Sequence, residues 1–445
     1  MAVPVILCVM FLLAAARGMA IKGRVPQQDW GYVNVRSDAH MFWWLYYANH
    51  ATKNYTDVPL VMWLQGGPGA SGCGYGNFEE IGPYDTYLHE RNTTWVKEAS
   101  VLFVDNPVGT GFSYTTNDDA FAKDVSTVAA DMIVLLKDFF NSKTEFQKIP
   151  FYIFSESYGG KMAAVISLAL TKEIKSGRIK CNFGGVALGD SWISPVDSVL
   201  SWGPYLYSAS LLDDQGLSKV EACAKEVQNA VKNNQFDRAT ELWSKTEDVV
   251  EQYTDNVNFY NILIKESTMD YRKHFMENSK FGNNFLGKLF QRHLLPRQND
   301  YLSELMNGPI RKVLKIIPDD VMWGGQAQDV FAMMAGDFMK PVIDIVDELL
   351  SENINVTVYN GQLDLIVDTV GQENWVKQLK WQKMVEFRNR VWSPLHMCHQ
   401  CTETVAFHKS YENFSFFWIL KAGHMIPSDQ GKVALKMLRM IINKK

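Results

Sequence analysis

The chain has 445 residues, of which 47% are hydrophobic and 21% charged, with 44 Lys and Arg against 49 Asp and Glu for a formal charge of −5. Apolar content of that order supports a large folded core, and the slight acidic balance without a Lys/Arg run excludes a nucleic-acid partner as the expected one. At this length an α/β enzyme can still fold as a single unit.

At the N-terminus, Val3 to Ala16 is almost wholly apolar and Gly18-Met19-Ala20 supplies small residues. This predicts a secretory signal peptide over residues 1–20, with cleavage after Ala16 as the alternative, and it is too short for a membrane anchor. No later apolar run has membrane-spanning length. The expected destination is therefore secretion, or delivery to the lysosome or endosome. Sequons at Asn54, Asn92, Asn355 and Asn413 are the expected glycosylation sites. Five cysteines remain beyond Cys8 (Cys73, Cys181, Cys223, Cys398 and Cys401), an odd number, so one or two disulfides and at least one thiol outside them are expected.

From residue 21 to about 200, short apolar strands alternate with helical stretches. The strands are Leu60–Leu64, Val101–Val104, Phe151–Phe154 and Val186–Leu188, each ending in turn residues; helices are expected over Asp124–Phe140 and Lys161–Lys175. Such alternation predicts a mostly parallel sheet. Residues 201–306 are rich in Asn, Lys, Gln and Glu with helical periodicity and no strand, which predicts a helical insertion. The alternating pattern resumes over residues 307–445 with Val356–Tyr359, Phe414–Leu420 and a final helix, Gly431–Ile442. The predicted fold class is α/β, a central sheet flanked by helices and interrupted by a helical cap.

Chemistry enters at Ser155-Glu156-Ser157-Tyr158-Gly159-Gly160, directly after the strand Phe151–Phe154. A serine on a sharp strand-to-helix turn is pushed out over the sheet, and the residues two before and two after must be small. Ser155 stands where glycine is usual. An N-capping serine in a tight turn would read the same way, but the earlier loop Gln65-Gly66-Gly67-Pro68-Gly69 adds backbone N–H groups suited to an oxyanion. The order Ser, acid, His then selects Asp364 as the acid, with Asp190 and Asp368 as rivals. His424 alone among the later histidines directly follows a strong strand, in Lys421-Ala422-Gly423-His424-Met425-Ile426-Pro427. The cluster His396, Cys398, His399 and Cys401 offers a single knuckle, so a C-x-x-C pair, oxidised or paired elsewhere, is expected rather than zinc. No cofactor or metal is expected.

Taken together, WLQGGPGAS (63–71), FEEIGP (78–83), VDNPVGTGFSY (104–114), FSESYGG (154–160), GDFMKP (336–341), NGQLDLIVDT (360–369) and KAGHMIPSDQG (421–431) resemble the serine carboxypeptidases of the α/β-hydrolase fold. The resemblance implies a catalytic triad of Ser157, Asp364 and His424, and an oxyanion hole from the backbone N–H groups of Gly67 and Tyr158. It also implies that Gln65, Gly66, Glu80 and Glu156 bind the terminal carboxylate of a peptide or protein substrate; because two neighbouring carboxyl groups cannot both ionise cheaply, activity is expected to be favoured at acidic pH. Many members carry Asn in place of Gln65 and Cys in place of Ala70, so the clamp's reach and the disulfide pattern are expected to differ. Oligomeric state and side-chain preference are not legible. The competing readings are an esterase or acyltransferase on the same fold, which needs no carboxylate clamp, and a hydrolase-fold binding protein with a silent site.

Overall fold

In the computed structural model the described residues are 26–264, 285–293 and 300–443. The expected signal peptide over residues 1–20 lies outside them. Short, fully buried apolar runs such as Leu60–Leu64 (β3), Ser100–Val104 (β4) and Val356–Gly361 (β8) form strands covered on both faces, the pattern expected of a parallel sheet between helical layers. Pro150–Glu156 (β6), Asn182–Gly189 (β7) and Phe414–Ile419 (β11) complete a parallel block in the spatial order β4-β3-β6-β7-β8-β11.

Antiparallel strands extend both edges. On one side Gln28–Arg36 (β1) and Ala39–Tyr46 (β2) form a hairpin that adds to β4, and the short Tyr114–Thr115 (β5) pairs with β2. On the other side Ala406–Tyr411 (β10) and Ser393–Leu395 (β9) follow β11. The expected strands all form, whereas β1, β2, β5, β9 and β10 are additions, and all of them are antiparallel edges.

The helix Val125–Ser142 is capped by Asp124, whose side chain accepts from Thr127 N, and it buries Val128, Met132, Leu135, Leu136 and Phe139 on one face. Tyr158–Lys175 starts three residues ahead of the expected Lys161. Two glycines disfavour a helix start there by intrinsic propensity, but packing demands them: a Cβ on Gly159 would sit 2.4 Å from Leu64 O, and one on Gly160 1.8 Å from Ser191 Oγ. A second helix that local sequence hides is Gly72–Ile81, a wide-turn helix in a glycine-rich run.

Between β7 and β8, neighbours in the sheet, every named element of the described chain from Pro195 to Ser351 is a helix. Pro195–Ser208, Asp214–Lys232 and Phe236–Thr254 pack successively against one another. Helical structure thus runs past both ends of the 201–306 stretch singled out by composition. Cys398 and Cys401 form a disulfide, while Cys73, Cys181 and Cys223 are free.

Candidate active site

In a parallel sheet, residues that bind and react gather beyond the carboxyl ends of the strands. Six loops supply this edge: Gln65 to Gly67 after β3, Asp105 after β4, Ser157 after β6, Asp190 after β7, Asp364 after β8 and His424 after β11. Ser157 has φ 62° and ψ −131°, a strained backbone for a residue with a Cβ. Its N–H donates to Gly189 O at 3.0 Å and its carbonyl accepts from Trp192 N at 2.9 Å, so the turn is pinned to the end of β7. Ser155 is small enough for the elbow, and its hydroxyl donates to Ala187 O at 3.1 Å.

Gly66 lies against this turn, where a Cβ would come 2.5 Å from Ser157 Cβ. That approach brings the next residue, Gly67, onto the wall of the cavity that Ser157 also lines. Tyr158 opens the following helix, so its N–H is among the four with no intrahelical acceptor. Its fully buried ring is fixed by a hydroxyl that donates to Asp337 Oδ2 at 2.7 Å, and Asp337 is also paired with the buried Lys161 at 2.7 Å. Burial lowers the Lys161 ammonium to about 8. Trp192, Trp243, Phe331, Phe338 and Ile366 give the cavity an apolar lining, with Tyr260 and His293 as its polar members.

His424 Nδ1 lies 2.7 Å from Asp364 Oδ2, and both side chains are fully buried. Asp364 Oδ1 accepts from Val367 N at 3.1 Å. With Nδ1 so engaged, His424 Nε2 carries no hydrogen bond among the described residues, which leaves it as the nitrogen for proton transfer. Neither rival acid is hydrogen-bonded to His424 among the described residues. Asp368 caps the helix Thr369–Lys377 through Gly371 N and accepts from Ser201 Oγ, and burial pushes it up to about 7. Asp190 accepts from Gly361 N at 2.8 Å. Ligand atoms of Asp190, Asp364 and His424 lie within 4.8 Å of one another. Each acid already gives an oxygen to a backbone N–H, and His424 gives its Nδ1 to Asp364. His396 binds Glu403 O and His408 stacks on Phe417, both away from this edge.

Gln65, Glu80 and Glu156 form one buried unit, each 2% exposed. Trp63 Nε1 donates to Gln65 Oε1 at 2.6 Å, which orients the amide. Gln65 Nε2 then donates to Glu80 Oε1 at 2.9 Å and to Glu156 Oε1 at 2.8 Å. A single amide group thus spans both acids.

One contributor could not be recognised by its neighbours in sequence. Residues 259–262, from the helical region between β7 and β8, wedge between the Asp364 and His424 loops. Tyr260 O accepts from His424 N at 2.7 Å, its ring meets the imidazole edge-on at 5.1 Å, and Ile262 N donates to Leu363 O at 3.0 Å. Gly423 is required at this junction, since a Cβ there would lie 2.2 Å from Tyr260 O.

Sequence comparison decides the family. A serine carboxypeptidase family profile matches residues 21–444. The chain belongs to the serine carboxypeptidases. It is 61% identical to the retinoid-inducible serine carboxypeptidase of Mus musculus, over 98% of this chain and 96% of the mouse chain. Identity to the Homo sapiens protein of that name is 62%, covering 93% and 91%. Among solved structures, a prohormone-processing carboxypeptidase from Saccharomyces cerevisiae superposes with TM-score 0.78 at 22% identity, covering 94% of this chain and 91% of that one. This protein is accordingly a serine-type carboxypeptidase, a hydrolase acting on peptides, with an α/β-hydrolase fold. Among its described residues no helix is long and apolar enough to cross a membrane.

Proposed function

We propose that this serine carboxypeptidase releases C-terminal residues through an acyl-enzyme formed on Ser157. His424 Nε2 takes the hydroxyl proton as Ser157 Oγ attacks the last peptide carbonyl, and Asp364 holds the ring and stabilises its charged form. The backbone N–H groups of Gly67 and Tyr158 donate to the oxygen as it becomes negative. His424 returns the proton to the leaving amino group, and water then resolves the ester. The observation that carries this reading is the 2.7 Å Asp364–His424 contact, which leaves Nε2 unengaged at the edge where Ser157 is displayed.

The clamp explains why cleavage would be terminal. Gln65, Gly66, Glu80 and Glu156 receive the substrate's free carboxylate. Two buried carboxyl groups held on one amide cannot both ionise cheaply, so one keeps its proton. That acid can donate a hydrogen bond to the incoming carboxylate, whereas two anions would repel it. Activity should therefore be favoured at acidic pH and fall as the pair ionises.

Fluorophosphonate labelling of the wild type against Ser157→Ala tests the nucleophile, and labelling that persists in the variant would refute it. Peptides with free and amidated C-termini test the clamp, since equal turnover of both would reject it. The apolar stretch Val3 to Ala16 supports secretion or delivery to an acidic compartment. Asn54 and Asn92 are exposed, as glycan acceptors must be. Asn355 donates its amide to Gly184 O, and Asn413 spends both N–H donors on Leu350 O and Ile354 O. Glycans are therefore proposed first at Asn54 and Asn92, with a mass shift on glycosidase treatment as the check.

A further inference from the structure

Asp190 has no part in the chemistry above, yet it is bound to it. It follows β7 directly, has φ 40° and is 1% exposed. Its N–H donates to Tyr359 O at 2.9 Å and its Oδ1 accepts from Gly361 N at 2.8 Å. Main chain and side chain are thus both fastened to the end of β8, three residues before Asp364. Its second oxygen, Oδ2, receives no donor among the described residues, and its carboxyl group belongs to the cluster with Asp364 and His424 whose atoms lie within 4.8 Å.

Asp364 differs in its surroundings. Two donors already point at it, Val367 N on Oδ1 at 3.1 Å and His424 Nδ1 on Oδ2 at 2.7 Å. Hydrogen bonds to a carboxylate favour its charged form, and two adjacent buried carboxyl groups do not both ionise. Other titratable groups facing the pair are Glu156 and the Tyr359 hydroxyl toward Asp190, and Asp368 and the Tyr205 hydroxyl toward Asp364. None of these groups is a cation. The single negative charge belongs on Asp364, and a proton on Asp190.

We propose that Asp190 is a positioning residue, a neutral carboxylic acid whose Oδ2–H donates to Asp364 and holds it singly charged and aligned behind His424. This rests on the reading of Asp364 and His424 as acid and base. Burial first, and then the neighbouring Asp364, push the Asp190 carboxyl well above the usual range, consistent with that proton being held. The arrangement keeps a second anion away from the imidazole. Such an anion would raise the affinity of His424 for its proton and leave too little free base at acidic pH.

The test compares Asp190→Asn and Asp190→Ala by kcat and KM as a function of pH on one peptide with a free C-terminus. An amide supplies a neutral N–H donor of the same shape. Asn should keep the acid-side midpoint of kcat/KM within about 0.3 pH unit and recover kcat/KM to within about fivefold of wild type. Ala removes the donor and should lower kcat by about tenfold to a hundredfold with little change in KM. If Asn instead moves the acid-side midpoint down by about one unit and loses as much kcat as Ala, Asp190 works as an anion and the proposal fails. It also fails if Ala behaves as wild type. Should Ala not fold, the Asn profile decides alone. Fluorophosphonate labelling of His424→Ala at the wild-type rate would overturn the acid–base reading itself, and so separates that failure from this one.

Discussion

Gln65 shows how far one side chain organises this site. Its carbonyl is tied to Trp63 and its amide to two glutamates, so its orientation is determined by donors and acceptors on three elements. Trp63→Phe removes the indole donor and leaves a buried carbonyl oxygen without a partner, a loss of about 1–3 kcal/mol. The amide is then free to turn, and KM for free-carboxylate peptides should rise about tenfold with kcat little changed in steady-state assays. At the acids themselves, Glu80→Gln and Glu156→Gln each remove one member of a pair that shares a proton. Each should flatten the fall in kcat/KM with rising pH, and a profile identical to wild type would separate the pair from the acid preference. Gly66 belongs to the same scale. The Cβ of Gly66→Ala would have to fit 2.5 Å from Ser157 Cβ, and a shift of about 1 Å at a nucleophile lowers kcat by about a hundredfold.

At the scale of elements, the segment 259–262 is the part of the helical region that reaches the reacting groups. It accepts the N–H of His424 on Tyr260 O and those of Leu365 and Ile366 on Phe259 O, so the two loops carrying acid and base share one brace. Asn261 Nδ2 and Gly423 N both donate to Asp429 Oδ2, at 3.1 and 2.7 Å, which ties the brace to the turn after His424. Gly423→Ala would drive a Cβ into Tyr260 O and displace the brace. The expected outcome is a loss of kcat of at least about a hundredfold with the fold retained, read by kinetics beside circular dichroism. Glycine also explains the helix Gly72–Ile81. Cβ atoms at Gly74 and Gly76 would each come 2.3 Å from an indole, of Trp323 and of Trp63. Packing overrides a composition that by itself predicts a loop, and it delivers Glu80 to Gln65.

Across the whole molecule, buried acids set the response to pH. Burial raises Asp105 from 3.8 to about 6 and Asp368 from 3.8 to about 7. In both cases the folded state holds the proton more tightly than the unfolded chain, so their contribution to stability is complete below about pH 4. It is lost as pH rises through about 6 and about 7. Acids shifted the other way, such as Glu173 and Glu403, sit in exposed ion pairs that solvent screens. The melting temperature should therefore fall by a few degrees between pH 4.5 and pH 7.5. Asp368→Asn, which keeps both of its polar partners, should reduce that fall when melting is followed by calorimetry.

By itself the sequence determined the parallel strands, the serine elbow and the loops bearing Asp364 and His424, because each is a local matter. A buried strand is a short apolar run, an elbow needs small neighbours two residues away, and a strand-end loop is marked by turn residues. Only the tertiary structure decided that Asp190 lies beside Asp364 and that Tyr260 holds His424. Both follow from β7 and β8 pairing across a helical excursion from Pro195 to Ser351. Sheet order arises from packing between segments distant in the chain, and the ionisation of a buried acid depends on which charges that packing brings within reach. Neither leaves a periodic mark on the residues nearby.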